Sequence, residues 1–157
     1  MGQEIERKFL VRSDGWRTAS PVRFVQGYLS VEKERTVRVR IEGEEARLTI
    51  KGVSQGITRS EFEYSIPLAD AEVLLEDLCQ KPLIDKHRTT VKLGDHIWEI
   101  DEFHGANEGL IVAEIELESI DEPFEKPDWL GPEVSEDPRY YNANLVNHPY
   151  SQWSEEE

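Results

Sequence analysis

Apolar and polar residues alternate with a period of two through most of this chain, the pattern of half-buried strands. It predicts eight strands, over residues 4–11, 23–30, 35–42, 46–52, 59–66, 86–93, 96–103 and 110–118. Two connections are turn-like: Glu42-Gly43-Glu44-Glu45, and Gly94-Asp95, whose leading glycine suits a type II′ hairpin. The loop 104–108 carries Gly105 and Asn107 and joins another antiparallel pair. Such links favour an antiparallel meander, and eight strands suffice to close a barrel. One segment changes period. In PLADAEVLLEDLCQ (67–80), Ala71, Leu74, Leu75 and Leu78 fall at helical spacing, with Pro67 near the start and Asp70 as a candidate N-cap. After Ser119, Pro, Asp and Glu dominate and a surface wrap is expected. Residues 139–146 then read as a short helix stopped by Asn147, His148 and Pro149.

The polar face of these strands is ionic, and it stays ionic from strand to strand. It reads Glu4, Glu6, Lys8; Arg38, Arg40; Thr49, Lys51; Arg59, Glu61, Glu63; Lys86, Arg88; Glu99, Asp101; Glu114, Glu116, Glu118. Opposite lie Ile5, Phe9 and Val11, then Val37, Val39 and Ile41, then Trp98 and Ile100, and their equivalents. In one arrangement the apolar faces meet in a sandwich and the charges are solvated. In the other the sheet closes with its charges inward, and the helical and C-terminal segments cover the apolar exterior. Strand by strand the first is simpler. Across all strands the second is favoured, because solvated faces usually mix in Ser, Thr, Asn and Gln. Charges inside a barrel are costly unless they pair, bind ions or stay wet. Here the grouping of acids and bases on different strands suggests a cation half-site and an anion half-site.

A length of 157 residues suits one domain spanning 1–157. The single cysteine, Cys79, cannot form an internal disulfide. No apolar run is long enough for a membrane span, and the N-terminus is acidic where a signal peptide would be basic. A cytoplasmic protein is therefore expected. The net charge of −15 argues against nucleic acid and against anionic membranes as partners. It does not exclude a small polyanion, because net charge is not a local field. Acid concentrates in the SEEE tail, after Ser119 and in residues 72–77, while bases concentrate in a few strands.

Clustered carboxylates on neighbouring strands are the ligands of a hard cation, and Mg²⁺ takes one or two of them together with water and phosphate oxygens. Glu4, Glu6, Glu114 and Glu116 are the leading candidates, with Glu61, Glu63 and Asp101 as contributors. For any single glutamate taken alone, a salt bridge to a neighbouring arginine is the favoured reading. Zinc is disfavoured, since the four histidines show no ligand spacing. Lys8, Arg38, Arg40, Lys51, Lys86 and Arg88 suit phosphate oxygens, arginine bidentately and lysine as a point charge. With no Gly-rich phosphate loop, the site must be built from strand side chains.

The opening Glu4-Ile5-Glu6-Arg7-Lys8 is an ExExK motif, followed in order by TVRVRI, LTIKG, EFEYSI and AEIEL. Together with the tail RYYNANLVNHPYS, these make the chain resemble the CYTH superfamily, the triphosphate tunnel metalloenzymes, over nearly its whole length. The resemblance implies a mainly β fold: a closed eight-stranded antiparallel barrel, or tunnel, that binds a triphosphate with Mg²⁺ or Mn²⁺. It implies Glu4, Glu6, Glu114 and Glu116 as metal ligands. It implies Lys8, Arg38, Arg40, Lys51 and Arg88 as the phosphate clamp, with Lys86 as a further member. The superfamily includes class IV adenylate cyclases, thiamine and RNA triphosphatases and inorganic triphosphatases, so fold and metal dependence carry over more safely than substrate.

An organic substrate group needs a pocket with stacking aromatics. Tyr64, Trp98 and Phe103 are available, but two of them fall on or near the apolar face. The short bacterial members that this chain most resembles are similar to inorganic triphosphatases, and a compact tunnel suits bare tripolyphosphate, so its hydrolysis to pyrophosphate and phosphate is the first expectation. Class IV adenylate cyclase, thiamine or nucleoside triphosphatase, and a non-catalytic polyphosphate-binding module are the alternatives. The expected partner is the small triphosphate itself, with a homodimer as a compatible assembly. For attack by water on a terminal phosphorus, Tyr28 and Lys51 form a candidate dyad: Lys51, crowded by Arg38 and Arg40, would ease proton loss from the tyrosine. The plainer reading gives Tyr28 to the barrel wall and Lys51 to phosphate alone.

Overall fold

The computed structural model describes residues 3–17 and 20–153; the tail acids Glu155–Glu157 lie outside them. Eight strands follow the predicted alternation: β1 (Gln3–Val11), β2 (Val22–Ser30), β3 (Arg35–Glu42), β4 (Glu45–Gly52), β5 (Thr58–Ile66), β6 (Ile84–Leu93), β7 (His96–Phe103) and β8 (Ile111–Glu116). Their order is β5-β4-β3-β2-β6-β7-β8-β1, and antiparallel pairing of β1 with β5 closes the barrel. Tight hairpins set the register. Glu42 pairs with Glu45 and Leu93 with His96, and in each turn only the leading glycine, Gly43 or Gly94, takes a positive φ, as a type II′ turn requires.

The charged faces point inward and the apolar faces outward, so the hydrophobic cores lie outside the barrel wall. A helix, α1 (Leu68–Val73), continues as one π-helical turn over Leu74–Leu78 and sets Ala71 and Leu75 against Val39 and Ala46. Pro67 occupies the cap position; Asp70, expected there, lies in the first turn, where its charge suits the helix dipole. Trp16, Phe124 and Trp129 cover Phe9, Trp98, Ile100 and Ile115. Each such large side chain contributes roughly 1.5–3 kcal/mol by leaving water.

The chain after Ser119 departs from expectation. Part of the wrap is a ninth strand, β9 (Leu130–Glu133), which pairs with the far end of β1 after β5 has diverged. The expected helix over 139–146 is a 3₁₀ turn, Pro138–Tyr140, started by Asp137, and a separate helix α2 (Asn142–Asn147). Leu145 and Val146 of α2 pack on Ile84 and Phe103, which holds the segment against one end of the barrel. No helix among the described residues is long and apolar enough to cross a membrane.

Candidate active site

Because strand side chains alternate, most of the inward ionic residues reach one interior space of about 550 Å³. Its wall carries Lys8, Arg38, Arg40, Lys51, Lys86 and Arg88, and also Glu4, Glu6, Glu61, Glu63, Glu114 and Glu116. The strand order sorts them. β6, β2, β3 and β4 are contiguous and supply Arg38, Arg40, Lys51, Lys86 and Arg88, whereas β7, β8, β1 and β5 are contiguous and supply the carboxylates. Lys8 and Arg59 are the basic exceptions on the acidic side. Arg59 lies in the same alternating face, so its inward position was readable from the sequence, yet it was not among the clamp residues expected there.

The two halves are not isolated from one another, as their grouping by strand had suggested. Register sets Lys8 opposite Glu114, Lys51 opposite Glu61, Arg88 opposite Asp101 and Glu4 opposite Arg59. The Lys51 ammonium lies 3.2 Å from both Glu4 and Glu61, and Lys8 lies 3.5 Å from Glu114. Elsewhere register sets like charges together, Glu6 opposite Glu116 and Glu99 opposite Glu114, which is unfavourable without a cation between them. Burial, Glu114 and Glu4 hold the Glu6 carboxyl well above its ordinary range. Its partner Glu114, despite burial, is kept ionised by Lys8, Arg88 and Lys86. The basic half is strained in the opposite sense. Burial, Arg38 and Arg88 bring Arg40 down to about 10, and the Nε atoms of Arg38 and Arg40 are buried without an acceptor. Arg40 still pairs with Glu42 at 2.6 Å and Arg38 with Glu63 at 3.5 Å, so the unmet demand of this half is in those two Nε donors.

Asp101 differs from the other expected carboxylates. It does not line the cavity; it is buried beneath, where Arg88 donates to both its oxygens at 2.7 and 2.8 Å and Lys86 approaches to 2.7 Å. Burial alone would raise its pKa, but Arg88 and Lys86 bring it to about 2. It anchors two cations and has no free oxygen to face a metal.

Among the described residues no three acidic or imidazole groups form a ready-made ligand shell. None is required of a hard cation that takes one or two carboxylates and completes its shell with water and phosphate oxygens. Glu6, Glu114 and Glu116, facing one another, fit such an ion, with Glu4 beside them.

Tyr28 is on β2 and lines the cavity, but its hydroxyl makes no hydrogen bond to Lys51 among the described residues. Lys51 is flanked by carboxylates rather than crowded by Arg38 and Arg40, because register places it across from Thr36 and Glu61. The crowding falls on Arg40. The aromatics considered for stacking lie elsewhere: Tyr64 is exposed on the outer surface, and Trp98 and Phe103 are buried in exterior cores.

The C-terminal segment also enters the site. Tyr141, Asn142 and Asn144 line the cavity, Lys8 donates to the Tyr140 carbonyl at 3.1 Å, and Lys86 donates to the Asn142 side chain at 3.2 Å. Neither period nor charge marked these residues in the sequence.

A charged tunnel of this kind agrees with the match of residues 2–150 to the CYTH domain. The chain belongs to the CYTH domain family. Among relatives, it is similar to an inorganic triphosphatase of Acetivibrio thermocellus, 49% identical over 156 residues that cover 99% of this chain and 100% of that protein. It is also similar to an inorganic triphosphatase of Nitrosomonas europaea, 38% identical over 149 residues, covering 91% and 96%. A solved inorganic triphosphatase structure superposes with a TM-score of 0.65 at 35% identity, covering 90% of this CYTH chain and 96% of that one.

Proposed function

We propose that this protein hydrolyses inorganic tripolyphosphate to pyrophosphate and phosphate inside its tunnel, with Mg²⁺ or Mn²⁺ as the cofactor. The observation that carries this reading is one cavity in which Arg38 and Arg40, whose Nε donors lack acceptors, face carboxylates that oppose one another. Relatives named inorganic triphosphatase over the full length of the chain support the substrate. The stacking candidates Tyr64, Trp98 and Phe103 are not in the wall, where Tyr28 and Tyr141 are the aromatics.

Arg38, Arg40, Lys86 and Arg88 hold the phosphate oxygens, with Lys8, Lys51 and Arg59 closing the acidic side. Glu4, Glu6, Glu114 and Glu116 would hold the metal, with Glu61 and Glu63 as further acids at its edge. Bound there, it would supply positive charge against the charge that develops on the phosphate oxygens. The chain's own residues orient the triphosphate in line with an attacking water. Tyr28 and Lys51 are the dyad proposed for that water: Tyr28 orients it and, as the phenolate, accepts its proton, while the positive charge of the Lys51 ammonium favours that phenolate.

A panel of tripolyphosphate, pyrophosphate, ATP and thiamine triphosphate, each with Mg²⁺ and with Mn²⁺, tests the reading. Fastest phosphate release from tripolyphosphate is expected. In the same assay Tyr28→Phe lowers turnover by about 10²–10⁴-fold. Preference for ATP with release of pyrophosphate would mean a cyclase, and binding without turnover a phosphate-binding module.

A further inference from the structure

The Lys86 ammonium is among the most enclosed charges in the protein, and the barrel supplies only part of what surrounds it. Asp101 of β7 lies at 2.7 Å. Arg88 from its own strand, Arg40 of β3 and Glu114 of β8 are the other charges it feels, and the Phe103 ring lies 5.4 Å away. Beside that ion pair, the ammonium donates a hydrogen bond to Asn142 Oδ1, in α2, outside the barrel. The same oxygen accepts from Gln26 Nε2 at 3.3 Å.

The orientation of this amide is fixed by chemistry. A lysine ammonium only donates, so the atom facing it must be the oxygen. Gln26 Oε1 is buried and unpaired, and turning Gln26 over would set that oxygen against Asn142 Oδ1. Asn142 Oδ1 therefore accepts from two groups on the barrel floor, while its own residue borders the cavity.

We propose that Asn142 is a positioning residue for the triphosphate site: it holds the Lys86 ammonium toward the cavity, so that docking of the C-terminal segment completes the phosphate clamp. The proposal rests on the assignment of Lys86 to that clamp. Asp101 alone would draw Lys86 down beside Arg88, away from substrate, and the amide oxygen gives the ammonium a second, upper point of attachment. A neutral acceptor suits the role. It favours the charged lysine against burial, Arg88 and Arg40, which outweigh Asp101 and Glu114 and leave its pKa lowered to about 8, and it does so without adding a negative charge that would repel phosphate.

A double-mutant cycle of Asn142→Ala and Lys86→Met, read by kcat/KM on tripolyphosphate, tests this directly. Loss of a hydrogen bond to a charged group lowers kcat/KM about ten- to hundredfold in Asn142→Ala. In the Lys86→Met background the same substitution changes it by less than about threefold, because its effect has no lysine to act through. Full additivity of the two losses would overturn the proposal. NMR titration of the Lys86 side chain without substrate gives a readout independent of activity. Its pKa falls in Asn142→Ala and is retained or raised in Asn142→Asp, whose carboxylate still accepts from the lysine but repels phosphate. An unmoved pKa in both variants would also overturn it. Failure of the wild-type protein to turn over any triphosphate, with the lysine pKa still responding, would instead count against the assigned function while leaving the Asn142–Lys86 coupling in place.

Discussion

Arg38 and Arg40 share an inward face of β3, and their role depends on which side of the wall they occupy. Loss of a charge-assisted contact costs about 1.5–3 kcal/mol, so Arg38→Ala or Arg40→Ala should weaken tripolyphosphate binding roughly ten- to hundredfold. Arg12 donates to the Asp128 carbonyl and Arg17 to Asp14 and Glu102, all outside the barrel. Alanine at either should leave affinity unchanged in calorimetric titration; equal losses at both sets would mean that overall charge governs binding. Asp101 calls for a different measurement. Asp101→Asn leaves Lys86 buried without its counter-charge and Arg88 with Glu99 alone, and should cost about 3–5 kcal/mol at neutral pH while metal binding survives. Its folded pKa of about 2 lies below the unfolded value. Stability from this group is thus fully present above roughly pH 4 and disappears as pH falls through about 2. In urea unfolding, the gap between variant and wild type should close over that window; a gap independent of pH would contradict the pairing. The inward ionic residues were legible because a period of two assigns a side to each. The unshared role of Asp101 was not, since alternation cannot tell a residue facing the cavity from one beneath a pair of cations.

At the scale of elements, the eight strands and the helix were legible where pattern is strong and turn chemistry explicit. Gly43 and Gly94 lead hairpins that only a positive φ allows. β9 was hidden because Leu130-Gly131-Pro132-Glu133 has no alternation. Gly131 lies there because β1 passes so close that an added Cβ would come within 2.8 Å of the Leu10 carbonyl oxygen. The C-terminal contribution was hidden for another reason: Asn142 acts through tertiary placement of a single amide, which leaves no periodic trace. Docking of the α1 segment on the barrel gives an element-scale prediction. At Gly27 of β2 an added Cβ would lie 2.8 Å from Cys79 Cβ and 2.7 Å from Leu83 Cδ2. Gly27→Ala should therefore destabilise by about 1–3 kcal/mol through overpacking, seen as a lower denaturation midpoint with the charged interior intact. An unchanged midpoint would mean that the segment is only loosely held.

For the whole molecule, a net charge of −15 and a polyanionic substrate are compatible because the barrel separates inside from outside. Closing the sheet encloses Arg38 and Arg40, whose Nε donors lack acceptors, together with the opposed carboxylates of Glu6 and Glu116, and neither set is satisfied by the other alone. A divalent cation and a triphosphate together would complete both. Following tripolyphosphate by ³¹P NMR, with Mg²⁺ and then with excess EDTA, tests this account most directly. The account predicts pyrophosphate and phosphate appearing in equal amounts with Mg²⁺, and intact tripolyphosphate once the ion is chelated. Tripolyphosphate left whole in the presence of Mg²⁺ and Mn²⁺, or cleaved at an undiminished rate in EDTA, would contradict it.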